Sequence, residues 1–172
     1  MWRGQAVPGL TISKCWIDMI SIIVYENKYQ PDFKRLNLEW LEKDNLTESH
    51  DLEILDDPEG TLIAGGGCLF LAMDGEKVVG SAGLWKENEE EYELVKMAVD
   101  PAYRGLGISN ILMDRCLEEA RARNAKKIFL YSSSKLQTAL KLYDKYGFQY
   151  VDPINSPFVT AYVKMELSLL PK

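Results

Sequence analysis

Apolar positions along the chain alternate between two periods. Residues 20–25 are rich in β-branched side chains and predict a strand. Within 31–42, Phe33, Leu36, Trp40 and Leu41 recur at helical spacing, and a second helical stretch at 51–55 ends in the turn cluster 56–60. Stretches 68–73 and 78–85 flank Asp74-Gly75, a strong hairpin signal. A charged loop over 86–91 leads to a strand at 92–99, which Asp100-Pro101 ends. A glycine turn then opens a helix to about Arg123, with Ile108, Leu112, Cys116 and Ala120 on one face and Met113 and Leu117 beside them. A strand at 127–131, a helix at 136–146 and a strand at 148–151 follow, with Gly147 where a left-handed helix cap belongs. The last strand alternates cleanly, with Val159, Ala161, Val163, Met165 and Leu167 on one face and Thr160, Tyr162, Lys164 and Glu166 on the other.

The order β-α-α-β-β-β-α-β-α-β-β predicts an α/β fold, a single mixed central sheet flanked by helices. At 172 residues the chain suits one core. Residues 16–25 are apolar but short, carry Asp18 and lack a small-residue cleavage site, so they read as a first strand rather than a signal peptide. Met19 opens that strand; the expectation is a domain over 19–172 with 1–18 as an N-terminal extension or leader.

Charge and composition narrow the function. A net charge of −6 argues against a nucleic-acid partner and permits a cationic one. No run approaches the ~20 apolar residues of a membrane span, so no membrane partner is expected. Cys15, Cys68 and Cys116 are odd in number and lack metal-ligand spacing, which points to a reducing cytoplasm with neither disulfides nor a bound metal. His50, the only histidine, sits in a polar stretch that reads as a helix start rather than as a catalytic base.

The informative segment is Val99-Asp100-Pro101-Ala102-Tyr103-Arg104-Gly105-Leu106-Gly107-Ile108-Ser109. A strand enters a tight turn that opens a helix, whose first N–H groups lack internal partners and carry the positive end of the dipole. Glycines allow close backbone approach, and Arg104 adds a positive fork, so the turn suits a pyrophosphate. The Gly-Lys-Ser/Thr of a P-loop is missing, and the three-glycine spacing of a dinucleotide fingerprint is not met. A plain turn with an exposed arginine is the rival reading. Gly65-Gly66-Gly67 is followed by a strand rather than a helix and reads as a flexible lead-in to it.

Here the sequence resembles the GCN5-related N-acetyltransferase (GNAT) superfamily. Its Arg/Gln-x-x-Gly-x-Gly/Ala pattern is met by Arg104 and Gly107, with Ser109 as a small departure. The strand Glu93-Leu94-Val95-Lys96-Met97-Ala98-Val99 and the helix end Ala139-Leu140-Lys141-Leu142-Tyr143-Asp144-Lys145-Tyr146-Gly147-Phe148 extend the match over about 19–170. The resemblance implies acetyl-coenzyme A (acetyl-CoA) as acetyl donor and an amine, small molecule or peptide, as acceptor. It implies pantetheine pairing with backbone around Met97 and Val99, and pyrophosphate held by the amides of Arg104, Gly105, Leu106, Gly107, Ile108 and Ser109. The amine would attack the thioester directly in a ternary complex, which asks for a base and an acid. Tyr143 matches the family's frequent acid, although Leu136, Ala139, Leu140 and Tyr143 also form an apolar stripe that would bury it as core. Glu93 is the base candidate, a carboxylate at the cleft whose burial would raise its pKa; a solvated strand-end charge is the alternative. Ser134, with Ser133, would contact the donor or cap the following helix. Glu89-Glu90-Glu91 reads as a solvated loop. Trp40, Tyr92, Phe158 and Tyr162 are candidate walls of the acceptor pocket or simple packing residues, and the last strand is long enough to pair into a homodimer. A non-catalytic acyl-CoA-binding or sensing module on the same fold, and an interaction domain whose turn binds nothing, are the competing classes.

Overall fold

The computed structural model describes residues 17–152 and 163–171. Strands β1 (Ile20–Val24), β2 (Cys68–Asp74), β3 (Lys77–Lys86), β4 (Glu91–Val99), β5 (Lys127–Ser132), β6 (Gln149–Val151) and β7 (Val163–Ser168) form one sheet in the order β1-β2-β3-β4-β5-β7-β6. The helices are α1 (Gln30–Lys43), α2 (Ser49–Asp56), α3 (Ile108–Ala122) and α4 (Gln137–Lys145). The predicted order of strands and helices is the observed one, with short helical turns added at Asn27–Tyr29, Glu59–Ile63 and Pro101–Tyr103. Residues 159–162 of the predicted last strand, and Cys15, lie outside the described residues.

Every strand pairing is antiparallel except β4 with β5. That exception follows from connectivity, because α3 crosses over between these two strands. The β2–β3 hairpin turns at Gly75, whose φ of +58° glycine adopts without the strain a Cβ would add. Helices cover both faces of the sheet centre, so β2 is buried from Cys68 to Met73 instead of alternating with polar residues. Phe70, Leu84, Leu94, Ile128 and Phe148 pack with the predicted apolar face of α3 and with α4. Leu69, Leu71 and Val95 pack with Phe33 and Leu36 of α1 and with Ile54 and Leu55 of α2.

Strand β4 changes phase midway. Tyr92 and Leu94 face α3, but so do Met97 and Val99, while Val95 and Ala98 face α1 and α2. A β-bulge makes the switch. Gly83 lies opposite Val95 and Ser81 opposite Ala98, so Ala82 alone spans Lys96 and Met97. Lys96 takes the strained φ of +53° there. Its carbonyl accepts the Ser81 hydroxyl at 2.6 Å, and Ser81 in turn accepts from the Asn37 amide of α1 at 3.1 Å.

The triple glycine differs from its sequence reading. The amides of Gly65, Gly66 and Gly67 donate to the carbonyls of Thr61, Ile63 and Leu62 and so close the preceding helical turn. A Cβ on Gly67 would come within 2.3 Å of the Leu84 carbonyl oxygen, so close packing, not flexibility, selects glycine.

Candidate active site

Strands β4 and β5 pair only at Glu91 with Lys127, Tyr92 with Ile128 and Glu93 with Phe129. Beyond Glu93 they part, although β4 runs on to Val99 and β5 to Ser132. The gap opens a cavity of about 500 Å³, with Glu93 to Val99 along one wall and Tyr131, Ser132, Leu142 and Tyr143 along the other. Trp40 of α1 and Asp51 of α2 also line it, and Arg104, Gly105, Gly107, Ile108 and Ser109 line it where the chain leaves β4.

The turn is built from the residues before it. The Asp100 carboxylate accepts the Ala102 amide at 2.9 Å and lies 3.2 Å from the Lys77 ammonium. Burial opposes its charge, but those two partners prevail and hold its carboxyl below the ordinary range. The Tyr103 hydroxyl donates to Asp74 at 2.7 Å, with Lys77 over the Tyr103 ring at 4.8 Å, so the tip of the β2–β3 hairpin clamps the turn. Gly105 and Gly107 then adopt φ of +77° and +84°. Among the described residues, the amides of Gly105 to Ser109 donate to no backbone carbonyl. They gather at the start of α3 beside an exposed Arg104, a set of donors suited to an anion.

Most of the predicted donor-site residues meet at this cavity: Met97, Val99, Arg104, Gly105, Gly107, Ile108 and Ser109 all line it. Leu106 does not, its side chain packing against the core instead. Ser134 is exposed and outside the lining, whereas Ser132 and Ser133 take part in it. The Ser133 hydroxyl accepts the Lys135 amide at 3.3 Å, so a local turn role coexists there with a place on the cavity wall.

Tyr143 is buried, lines the cavity and packs against Phe148 at 5.9 Å between ring centroids. Core packing and cavity position thus belong to the same ring. Burial pushes its phenol up to about 12. Glu93 is 7% exposed, and burial pushes its carboxyl up to about 7; Lys96 opposes this, while Glu87 and Asp51 add to it. Glu93 is therefore a buried carboxylate at the point where the strands separate, not a solvated strand end.

Two residues of the site escaped the sequence reading. The Lys96 ammonium forms a buried ion pair with Asp51, and both line the cavity. Asp51 reads in sequence as an ordinary first-turn acid of α2, and it does serve there, accepting the Glu48 amide at 3.1 Å. Lys96 carried one signal, a lone charge within the apolar run Leu94 to Val99. Among the candidate walls, Trp40 lines the cavity, whereas Tyr92 is core on the opposite face beneath Arg123. Phe158 and Tyr162 lie outside the described residues. His50 falls in the first turn of α2, its ring edge-on to Trp85 at 5.8 Å. Burial raises the thiols of Cys68, to about 11, and of Cys116, which leaves neither suited to nucleophilic work.

The profile of the "Acetyltransferase (GNAT) family" matches residues 29–148. Mycothiol acetyltransferase of Corynebacterium glutamicum is 35% identical over 80 residues, covering 46% of this chain and 27% of that protein. N-acetylaspartate synthetase of Xenopus tropicalis is 35% identical over 95 residues, covering 55% of this chain and 35% of its own length. The chain thus spans about a third or less of these two curated relatives. A solved acetyltransferase of the GNAT family from Staphylococcus aureus superposes with a TM-score of 0.79 at 25% identity, over 88% of this chain and 99% of that one. Profile, sheet and parted strands agree: the chain belongs to the acetyltransferase (GNAT) family.

Proposed function

We propose that the protein is an N-acetyltransferase that moves the acetyl group of acetyl-CoA to a primary amine by direct attack in a ternary complex. The observation that carries this reading is the parting of β4 from β5 after Glu93, with amides that donate to no backbone carbonyl among the described residues at one end of the gap and a carboxyl raised to about 7 at the other. An elongated donor substrate fits between them. The amides of the Arg104 turn would hold its pyrophosphate, and the β4 backbone at Met97 and Val99 its pantetheine amides.

Glu93 then takes a proton from the substrate ammonium, directly or through water. The free amine attacks the thioester carbonyl, the C–S bond breaks, and the departing thiolate receives a hydrogen bond or proton from the Tyr143 hydroxyl. A carboxyl near 7 is matched to this task, because it is substantially ionised at neutral pH yet remains basic enough to accept a proton. The relatives' names, with mycothiol and N-acetylaspartate as products or substrates, support a small amine acceptor. Buried free Cys68 and Cys116 favour a reducing cytoplasm.

Two measurements test the reading. Acetyl-CoA should raise the melting temperature, since a ligand bound only by the native state stabilises it. A panel of amines should then release free thiol from acetyl-CoA. A melting shift with no acyl transfer to any amine would favour the acyl-CoA-binding module instead, and no shift at saturating acetyl-CoA would remove both.

A further inference from the structure

The end of the cavity around Glu93 holds a cation that the transfer chemistry does not use. The Lys96 side chain is 6% exposed, and its ammonium pairs with Oδ1 of Asp51. Oδ2 of Asp51 accepts the Glu48 amide at 3.1 Å, so both oxygens of that carboxylate are engaged. An ammonium has three N–H donors, and among the described residues Lys96 has Asp51 as its hydrogen-bond acceptor. Lys96, Asp51 and Glu93 all line the same cavity.

Neither backbone nor packing asks for lysine at this position. A φ of +53° is met more easily by glycine or asparagine. A buried ion pair is commonly replaceable by apolar residues without loss of stability. The fold therefore keeps a poorly hydrated ammonium, with Asp51 as its one acceptor among the described residues, in the same cavity as the proposed base. The indole N–H of Trp40, a residue of the same cavity's lining, is also buried with no partner among the described residues.

We infer that Lys96 recognises a carboxylate carried by the acceptor, so that the acceptor is an α-amino acid whose ammonium meets Glu93. This rests on the transferase reading above. A simple alkylamine would leave the Lys96 donors beyond the Asp51 pair unmatched. A zwitterion enters with no net charge, gives the ammonium an acceptor, and sets its own amine one carbon away, toward Glu93. Other charges around Glu93 leave this arrangement in place. Lys164 acts in the same sense as Lys96 but is held at 3.2 Å from Glu166 and over the Phe129 ring at 5.0 Å, while Glu87 and Asp51 act oppositely.

Thiol release from acetyl-CoA by the full chain tests the inference with matched sets: an L-amino acid, its α-amide and its decarboxylated amine, for acidic, aliphatic and aromatic side chains. The best amino acid should exceed its two analogues in kcat/KM by about tenfold or more, as expected for a hydrogen-bonded charge pair. Lys96→Met alone would strand the Asp51 charge and risk misfolding. The paired variant Asp51→Asn/Lys96→Met should instead fold, keep its melting shift with acetyl-CoA and lose the preference, whereas Lys96→Arg should keep much of it. A wild-type protein that turns over the decarboxylated amine as well as the amino acid, or a preference that survives loss of Lys96, would overturn the acceptor assignment and leave the transferase standing. Absence of transfer to all three classes, with acetyl-CoA still bound, would overturn this inference, and its extension to the wider amine panel would overturn the transferase reading as well.

Discussion

The Ser81 hydroxyl donates to the carbonyl of Lys96 at 2.6 Å, which fixes the bulge that turns Met97 and Val99 toward the gap. Ser81→Ala leaves that buried carbonyl without its donor, at a cost of about 1–3 kcal/mol in stability. Because the bulge carries the proposed pantetheine contacts, KM for acetyl-CoA should rise more than kcat falls. Asn37→Leu should be milder. It loses the Asn37 amide's bonds to Ser81 and Phe33, but it also removes a buried Oδ1 that has no partner among the described residues. Chemical denaturation and steady-state kinetics on the two variants check both the order and the KM–kcat split.

Glu93→Gln separates chemistry from stability. A carboxyl raised from 4.5 to about 7 keeps its proton in the folded protein while the unfolded chain has lost it. The stabilising effect is complete below about pH 4.5 and is lost as pH rises through 7, an order of 2–4 kcal/mol across that window. Glu93→Gln should therefore melt higher than wild type at pH 8, with the advantage vanishing near pH 4. Turnover should fall by about 10²–10⁴, and the limb near pH 7 in kcat/KM should disappear. Melting curves and rate profiles across pH 4 to 9 give both readings.

Much of the fold and part of the site were legible before the structure. The apolar stripe of α3 and the Asp74-Gly75 hairpin follow from local pattern, and the Arg104 turn from its glycines. The bulge was not legible, since a period-2 reading of β4 assumes one residue per pleat, and a single insertion at Lys96 reverses every later assignment. The Asp51–Lys96 pair joins positions 45 residues apart, beyond what periodicity in either segment encodes. For Tyr92 the sequence left pocket wall and packing open, and the structure shows packing: it lies in the core on the α3 side of the sheet.

The two turn glycines should respond differently to alanine. A Cβ at Gly105 meets nothing within 4 Å, so Gly105→Ala carries only the strain of φ +77°, about 1–2 kcal/mol. At Gly107 the same strain is joined by a contact 3.1 Å from the end of the Ile17 side chain. Both should weaken acetyl-CoA binding, with Gly107→Ala the less stable protein. Arg104 is exposed, so Arg104→Ala should leave the melting temperature of the free protein unchanged while lowering acetyl-CoA affinity about tenfold or more, and less so at high salt. Calorimetric titration at two salt concentrations distinguishes the charge from the backbone contribution.

Tyr143→Phe decides between packing and acid catalysis at one ring. The phenol is buried, and no hydrogen bond holds its hydroxyl among the described residues, so removing that oxygen should leave stability unchanged or slightly raised. The ring contact with Phe148 survives the substitution. If the hydroxyl serves the departing thiolate, kcat falls by about tenfold or more while KM for acetyl-CoA and the melting shift stay the same. Single-turnover kinetics, which isolate the chemical step, are the measurement of choice. Full turnover there would reduce Tyr143 to a core residue and leave the thiolate to the cavity's serines or to water.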